Sequence, residues 1–173
     1  MSRNRRFPLS RAVLLTAAFL VAPVKGFTQT APARDALPSG AQVAAGQVSF
    51  AASGAPAAPV LQVTQSSDRA IVNWQSFDVG RDATLRFVQP SASSAILNRV
   101  VGADPTRIYG QLMSNGQVFL VNPQGVYFGP TSRVDVGALV ASTLSISDGD
   151  FLAGRLSFRR DGSVGTVVNE GQI

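Results

Sequence analysis

The most regular hydrophobic pattern of the chain lies between residues 118 and 136. Three triplets begin eight residues apart there, and each has apolar residues at its first and third positions. Because side chains alternate across a β-strand, those two positions share one face, which we expect to be buried. The expected core residues are Val118, Leu120, Val126, Phe128, Val134 and Val136. The middle residues, Phe119, Tyr127 and Asp135, are expected to point away from that core.

Turn-forming residues separate the triplets. The first interval contains Asn122, Pro123, Gln124 and Gly125, and the second has the sequence GPTS at 129–132. Proline presets φ at the second position of a turn, glycine accepts positive φ, and an asparagine side chain can bond the backbone two residues on. The pattern predicts short strands joined by tight turns, either as sides of a stacked coil or as hairpins of a small sandwich. The shortness of the strands favours the coil.

Alternating segments on both sides of the triplets extend the β pattern. Strands are predicted over 42–43, 47–50, 60–64, 70–77, 84–88, 95–101 and 163–168, with a loop over 54–59. The alternation in 70–77 places Asn73 and Trp74 on opposite faces. Apolar residues recur at helical spacing only in 147–158, where Ser147 or Asp148 can serve as the N-cap. The sequence therefore predicts an all-β fold with one short helical excursion.

The positive charge of the chain is concentrated at its amino terminus. The formal net charge is +5, and five of the 15 basic residues are Arg3, Arg5, Arg6, Arg11 and Lys25. An apolar run over 12–22 separates the last two, which is typical of a secretory signal peptide over residues 1–33, with cleavage after Gly26 or Ala33. That run is too short to span a bilayer. We expect a neutral exported domain over 34–173, with no nucleic-acid partner and no integral membrane segment.

Cysteine and histidine are both absent. Without cysteine, an exported fold must be stabilised by packing and backbone hydrogen bonds rather than by disulfides. Without histidine, the chain lacks the commonest general base and metal ligand, and it can form no Ser-His or Cys-His pair. We therefore expect no metal, no cofactor and none of the familiar hydrolase mechanisms.

Five ordered blocks together resemble the amino-terminal secretion domain of filamentous haemagglutinin-type exoproteins, the two-partner secretion or haemagglutination activity domain. They are LPSG at 37–40, QSSDRAIVNWQSFDVG at 65–80, LNRV at 97–100, GQVFLVNP at 116–123 and LVASTL at 139–144. The resemblance covers the chain from about Ala36 to Ile173. The family's Asn-Pro-Asn-Gly turn falls on Asn122, Pro123, Gln124 and Gly125, with Gln124 in place of the second asparagine.

The resemblance implies a right-handed parallel β-helix with an amino-terminal cap, small extra-helical excursions and a long repetitive β-helix after this domain. It also implies export through the periplasm of a Gram-negative bacterium to the cell surface or medium. The implied partner is an outer-membrane transporter of the Omp85/TpsB type, acting through its periplasmic POTRA domains. The implied role is secretion and folding nucleation of an adhesin or haemagglutinin. Residues expected to act in recognition or in the turn are Asn73, Trp74, Asn122, Pro123, Gln124 and Gly125.

Two other functions remain open at the level of sequence. Parallel β-helices include polysaccharide-cleaving enzymes, in which two carboxylates about 5–9 Å apart act on a glycosidic bond. The candidate pairs are Asp148 with Asp150 and Asp78 with Asp82, although capping and turn roles explain them better, so we expect no enzyme. A free-standing adhesin would instead bind a host glycan or protein receptor through exposed aromatic residues, such as Trp74, Phe77 and Tyr127.

Overall fold

The computed structural model describes residues 30–173, which form a parallel β-solenoid of about three turns. The expected all-β solenoid is therefore confirmed. Most of the signal peptide predicted for residues 1–33 lies outside the described residues, which include only its last four positions.

Strands are the main regular structure of the described chain. In order they are β1 (Gln42–Ala45), β2 (Val48–Ala55), β3 (Ala58–Gln65), β4 (Arg69–Trp74), β5 (Thr84–Val88), β6 (Ala95–Val100), β7 (Thr106–Ile108), β8 (Gln111–Val121), β9 (Val126–Phe128), β10 (Arg133–Ser142), β11 (Ser145–Ile146), β12 (Phe158–Arg159) and β13 (Val167–Asn169). One helix, α1 (Asp148–Leu152), interrupts the series between β11 and β12.

Two long strands, β8 and β10, each bend around a corner of the coil. The first half of β8 pairs in parallel with β5 and the second half with β6, while β10 follows β8 along both halves. The third side consists of the parallel strands β7, β9 and β13. Val118 stands opposite Ile96 on one side and Leu139 on the other, so one coil takes about 21 or 22 residues.

Antiparallel strands close the amino-terminal end of the solenoid. β1 runs antiparallel to β4, and β2 forms a hairpin with β3. The loop predicted over 54–59 is wrong, since β2 continues to Ala55 and β3 begins at Ala58. Beneath this cap, the Trp74 ring packs edge-on against Phe50 at 5.7 Å and Phe77 at 5.5 Å between ring centroids. The expected amino-terminal cap is thus built from strands and an aromatic cluster.

The interior of the coil contains the larger of two hydrophobic cores. Val118, Leu120, Val126 and Phe128 are all buried within it. Val134 and Val136 are only half-buried against the same core, because they lie on β10, the last strand of its side in the described chain. Burial on the inward face therefore decreases towards the final coil.

A second core lies outside the coil and corrects one expectation from the sequence. Phe119 points away from the interior, as alternation requires, yet its exposure is only 3%. The Phe151 ring of α1 covers it edge-on, with 5.3 Å between centroids. The predicted helix over 147–158 is real but shorter, because Gly154 has φ +75° and ends it. The excursion therefore covers a second apolar face of the sheet.

Candidate functional site

The turn at residues 122–125 is closed by both backbone and side-chain hydrogen bonds. The Gly125 amide donates to the Asn122 carbonyl at 3.0 Å, and the Gln124 amide donates to Asn122 Oδ1 at 2.9 Å. Gly125 has φ +123°, a conformation that residues with a side chain rarely adopt. Asparagine and glycine are therefore the two positions of this turn that the geometry restricts most.

The Asn122 side chain also links the turn to the preceding coil. It is fully buried, and its Nδ2 donates to the Asp104 carbonyl and to Thr106 Oγ1, both at 3.0 Å. A buried amide whose donors and acceptor are all paired stabilises the corner, whereas removing it leaves buried groups without partners. Asn122 therefore stabilises both the turn and the contact between two neighbouring coils.

Neighbouring coils cover most of the turn. On one side the Thr106 amide donates to the Gly125 carbonyl at 3.0 Å, and on the other the Gly165 amide donates to the Pro123 carbonyl at 3.1 Å. Gln124 is exposed and Pro123 half-buried, so these two residues form the accessible part of the folded turn. Gln124 uses its backbone amide, not its side chain, in closing the turn.

Asn73 and Trp74 lie at the same corner of the solenoid as the turn, two strands away. Asn73 stands opposite Arg99, and Arg99 stands opposite Val121, the residue before the turn. Trp74 faces the core with 1% exposure, and its Nε1 donates to the buried Asn98 Oδ1 at 3.0 Å. The folded domain therefore presents Asn73 at this corner but hides Trp74.

Arg99 connects this corner to the excursion. One guanidinium nitrogen, Nη2, donates to Asp148 Oδ1 at 2.7 Å and to the Ile146 carbonyl at 2.8 Å, while Nη1 lies 3.4 Å from Asn73 Oδ1. Sequence inspection missed Arg99 in this role, although it belongs to the LNRV block. The corner is thus a polar surface held by one arginine.

The carboxylate pairs considered for an enzyme are occupied by arginines. Asp78 accepts from Arg107 Nη2 at 2.6 Å, and Asp148 is bound by Arg99. A hydrogen bond from Arg34 lowers the pKa of Asp82, and the Ser147 hydroxyl, followed by Arg155, lowers the pKa of Asp150. A glycosidase needs one carboxylic acid with a raised pKa, whereas the pKa values of Asp82 and Asp150 are shifted in the opposite direction.

Of the aromatic residues considered for an adhesin, two are unavailable. Trp74 and Phe77 are each 1% exposed, so the expectation of exposed rings is wrong for both. Tyr127 is half-buried, lies 5.7 Å from the Tyr109 ring, and donates its hydroxyl to Glu170. That hydrogen bond to a carboxylate raises the pKa of Tyr127.

A buried polar network at another corner escaped sequence inspection. Gln89 Nε2 donates to Gln65 Oε1 at 3.1 Å and to the Ser94 carbonyl at 3.0 Å, while Ser114 donates to Gln89 Oε1 at 2.6 Å. Asn115 pairs with both the amide and the carbonyl of Gln89. The available signal was an amide residue at the same place in successive coils: Gln65 ends β3, Gln89 follows β5 and Asn115 lies within β8. Their hydrogen bonds pair the buried polar groups at the bend between two sides of the coil.

Metal ligation and membrane spanning find no support in residues 30–173. No group of three or more acidic residues is close enough there to hold an ion. Within the same range, the five-residue α1 is far shorter than a bilayer-spanning helix, and no other helix meets that length and hydropathy.

The antiparallel cap and the parallel strands define the class of this domain as a capped β-solenoid. A family model of the TPS secretion domain matches residues 34–173, and the chain belongs to this family. The suspected resemblance is confirmed. Membership implies an outer-membrane TpsB transporter as the partner.

Relatives and a solved structure agree with this assignment. The chain is 35% identical over 146 residues to a heme/hemopexin-binding protein of Haemophilus influenzae, covering 83% of this chain and 16% of that protein. A second heme/hemopexin-binding protein of Haemophilus influenzae is 37% identical over 83 residues, 48% of this chain and 9% of its own length. The crystal structure of the HMW1 secretion domain from Haemophilus influenzae matches with TM-score 0.72 and 31% identity, over 78% of this chain and 35% of that chain.

Proposed function

We propose that this domain is the recognition and folding module of a large exported adhesin-like protein. It binds the periplasmic POTRA domains of its TpsB transporter while extended, then folds outside the cell and templates the coils that follow. The supporting observation is the difference between the two ends of the solenoid. Antiparallel strands β1 and β2 close the amino-terminal end, whereas parallel strands form the other.

The carboxyl-terminal end can accept further strands. Among residues 30–173, the ladder of β10 is with β8 and that of β13 is with β9, apart from one bridge between Arg133 and Gln172. Val134 and Val136, which face inward from β10, are only half-buried. An unpaired parallel edge beside partly exposed apolar residues favours the addition of another coil. The first coils would therefore act as a template for the next.

Recognition before folding is supported by where the recognition candidates lie. Trp74 and Asn122 are buried in the folded domain, so a transporter could contact them only while the chain is extended. The chain lacks cysteine, so no disulfide opposes threading through a pore. A domain without formal net charge over 34–173, built of β-forming segments, suits recognition by strand addition, in which backbone hydrogen bonds provide the affinity.

Export with and without the transporter tests this proposal. Coexpression with the cognate transporter should move the domain to the medium, whereas expression alone should leave it in the periplasm. Asn122→Ala and Gly125→Val should reduce export, because each removes a restricted position of the turn. Val164→Ala is the control, since Val164 is 86% exposed and lies outside the turn.

A binding assay separates recognition from folding. Wild-type and variant chains, kept unfolded in dilute denaturant, would be titrated with the transporter's purified POTRA fragment. Variants that still bind but fail to fold assign the turn to folding, whereas variants that lose binding assign it to recognition. Transporter-independent appearance in the medium, with export unaffected in both variants, would refute the proposal in favour of a free-standing adhesin that binds host receptors.

A further inference from the structure

Residues 30–36 cross the bend at residues 78–82, and we name this segment the amino-terminal strap. Its backbone is bound directly to the bend. The Asp82 amide donates to the Arg34 carbonyl and the Gly80 amide donates to the Ala36 carbonyl, both at 2.8 Å. Within the strap, the Ala36 amide donates to the Ala33 carbonyl at 3.0 Å. The strap is therefore a folded part of the domain.

Gly80 permits the close approach of the strap. A Cβ atom at this position would lie 2.2 Å from the Ala33 carbonyl oxygen and 2.4 Å from that of Arg34. Both distances are shorter than real Cβ contacts, and backbone atoms cannot move aside as a flexible side chain can. Glycine is thus required here by the contact with the strap, and one of the two contacting residues is Ala33.

Two arginines, Arg34 and Arg107, bind the strap to the rest of the domain through an ion pair and a hydrogen bond. Arg34 Nε binds Asp82 Oδ2 at 2.6 Å. Arg107 lies on the next coil, where Nη2 binds Asp78 Oδ2 at 2.6 Å and Nη1 donates to the Thr30 carbonyl at 3.1 Å. The contacts of the folded domain therefore begin at least as early as Thr30, before one of the two cleavage sites considered from the sequence.

From these contacts we infer that signal peptidase cleaves after Gly26, and that residues 30–33 remain in the mature domain. Hydrolysis of the Gly26–Phe27 amide consumes one water and leaves a carboxylate on Gly26 and an α-ammonium on Phe27. Cleavage after Ala33 would remove the carbonyls of Thr30 and Ala33, so that Arg107 Nη1 and the Ala36 amide would lose their partners. Cleavage after Gly26 retains every contact of the strap.

Cleavage of the signal peptide precedes folding of the domain. Signal peptidase acts on the chain before it folds, so the strap does not protect the Ala33–Arg34 bond. Instead, the Ala36 amide paired with the Ala33 carbonyl and the Arg107 guanidinium bound to the Thr30 carbonyl indicate a domain adapted to a chain that retains both residues. The inference concerns export across the inner membrane and is independent of the transporter.

The mass of the exported chain tests the cleavage site. Residues 1–173 would be expressed with the native amino terminus, recovered from the periplasm and measured intact by mass spectrometry. We expect the mass of a chain that begins at Phe27. A chain that begins at Arg34, or at any other residue, would overturn the assignment.

Substitutions at the two candidate sites provide an independent result. A signal-peptide cleavage site requires small residues, so Gly26→Glu should leave the precursor uncleaved. Ala33→Glu is the matched variant, and because Ala33 is exposed its side chain can be enlarged without burial. It should be processed like the wild type. The reverse result, with Ala33→Glu blocked and Gly26→Glu processed, would contradict the inference.

A third measurement examines the strap itself. Gly80→Ala should lower the urea midpoint of unfolding, because the new methyl group displaces the strap from the bend. Gly149→Ala is the control, since a Cβ there meets nothing within 4 Å. Equal midpoints for Gly80→Ala and the wild type would show that the strap is not docked, and would overturn its place in the mature fold.

Discussion

Phe119 and Leu120 are adjacent on β8, and their side chains enter different cores. Leu120 is fully buried inside the coil, and Phe119 is buried beneath Phe151 outside it. Alternation along a strand assigns such neighbours to opposite faces, but it does not say whether each face is covered. At this point of the sheet, both faces are covered by other side chains.

Truncation of either residue should therefore destabilise the fold. We expect Leu120→Ala to lower the free energy of unfolding by about 2–5 kcal/mol and Phe119→Ala by about 3–5 kcal/mol, because each leaves a cavity. Val164→Ala is the control, since Val164 is 86% exposed and should change stability by less than about 0.5 kcal/mol. Urea denaturation measures all three. A near-zero effect of Phe119→Ala would contradict the second core.

The Tyr127 hydroxyl should titrate late. Its hydrogen bond to the Glu170 carboxylate raises its pKa, since ionisation would place two negative charges in contact. A raised pKa in the folded state means that the contribution to stability is present below about pH 10 and is lost as the pH rises further. Ultraviolet absorbance titration should show an upward-shifted component that Glu170→Gln reduces and Tyr127→Phe abolishes. An unchanged titration in Glu170→Gln would contradict this cause.

At the scale of elements, the excursion from β11 to β12 shows how a short helix persists in a solenoid. Ser147 caps α1 by accepting from the Asp150 amide, and Phe151 anchors the helix in the second core. Arg69 supports it from β4, with its guanidinium 5.3 Å from the Phe151 ring centroid. A five-residue helix is unstable alone, so tertiary contacts maintain it.

Removal of the cap should weaken this element. We expect Ser147→Ala to cost about 0.5–2 kcal/mol, the usual range for loss of an N-cap hydroxyl. Ser157→Ala is the control, because Ser157 is exposed in the same region and caps no helix. Gly162→Ala is unsuitable, since the φ of +90° at Gly162 would strain any side chain. Thermal unfolding compares the two variants. Equal melting temperatures would show that the cap is dispensable.

The same cap predicts a dependence on acid. The pKa of Asp150 is lowered first by the Ser147 hydroxyl and then by Arg155, so the folded state favours the ionised carboxylate. This contribution to stability is present above the unfolded pKa of about 4 and is lost as the pH falls through the lower folded value. The urea midpoint of the wild type should therefore fall more steeply below about pH 4 than that of Asp150→Asn. Parallel curves would contradict the assignment.

At the scale of the whole molecule, the two ends of the solenoid differ in protection. Strands β6 and β8 each have a neighbour on both sides, whereas β13 has a partner only in β9 within the described residues and is exposed throughout. In a solenoid, stability is approximately a sum over neighbouring coils, so opening begins at an end. The capped end and the open end should therefore unfold differently.

Native-state hydrogen exchange can measure this difference. Amides of β13 should exchange first, and those of β6 and β8 should exchange only through global unfolding. The inner amides provide the internal reference, so no variant is required. Uniform protection from β6 through β13 would mean that the open end is as stable as the interior, contrary to the expectation.

The alternating pattern was sufficient to predict much of the fold. Strand β5 has the predicted bounds, and the apolar positions at Val118, Leu120, Val126 and Phe128 lie inside the coil. The turn at 122–125 was equally visible, because proline and glycine restrict φ at fixed positions. All of these features depend on residues close together in the chain.

Other features depend on which coil stacks on which. The covering of Phe119 by Phe151 and the pairing of Asp78 with Arg107 join segments 32 and 29 residues apart, and the half-burial of Val134 reflects its place at the end of the stack. Similarly, Asn122 resembles an ordinary turn residue until Asp104 and Thr106 are placed beneath it. The sequence by itself determined the strands, their inward faces and the main turn, because these follow from local backbone geometry. Only the tertiary structure decided the second core, the arginine pairs and the buried amide networks, because each requires a partner from another coil.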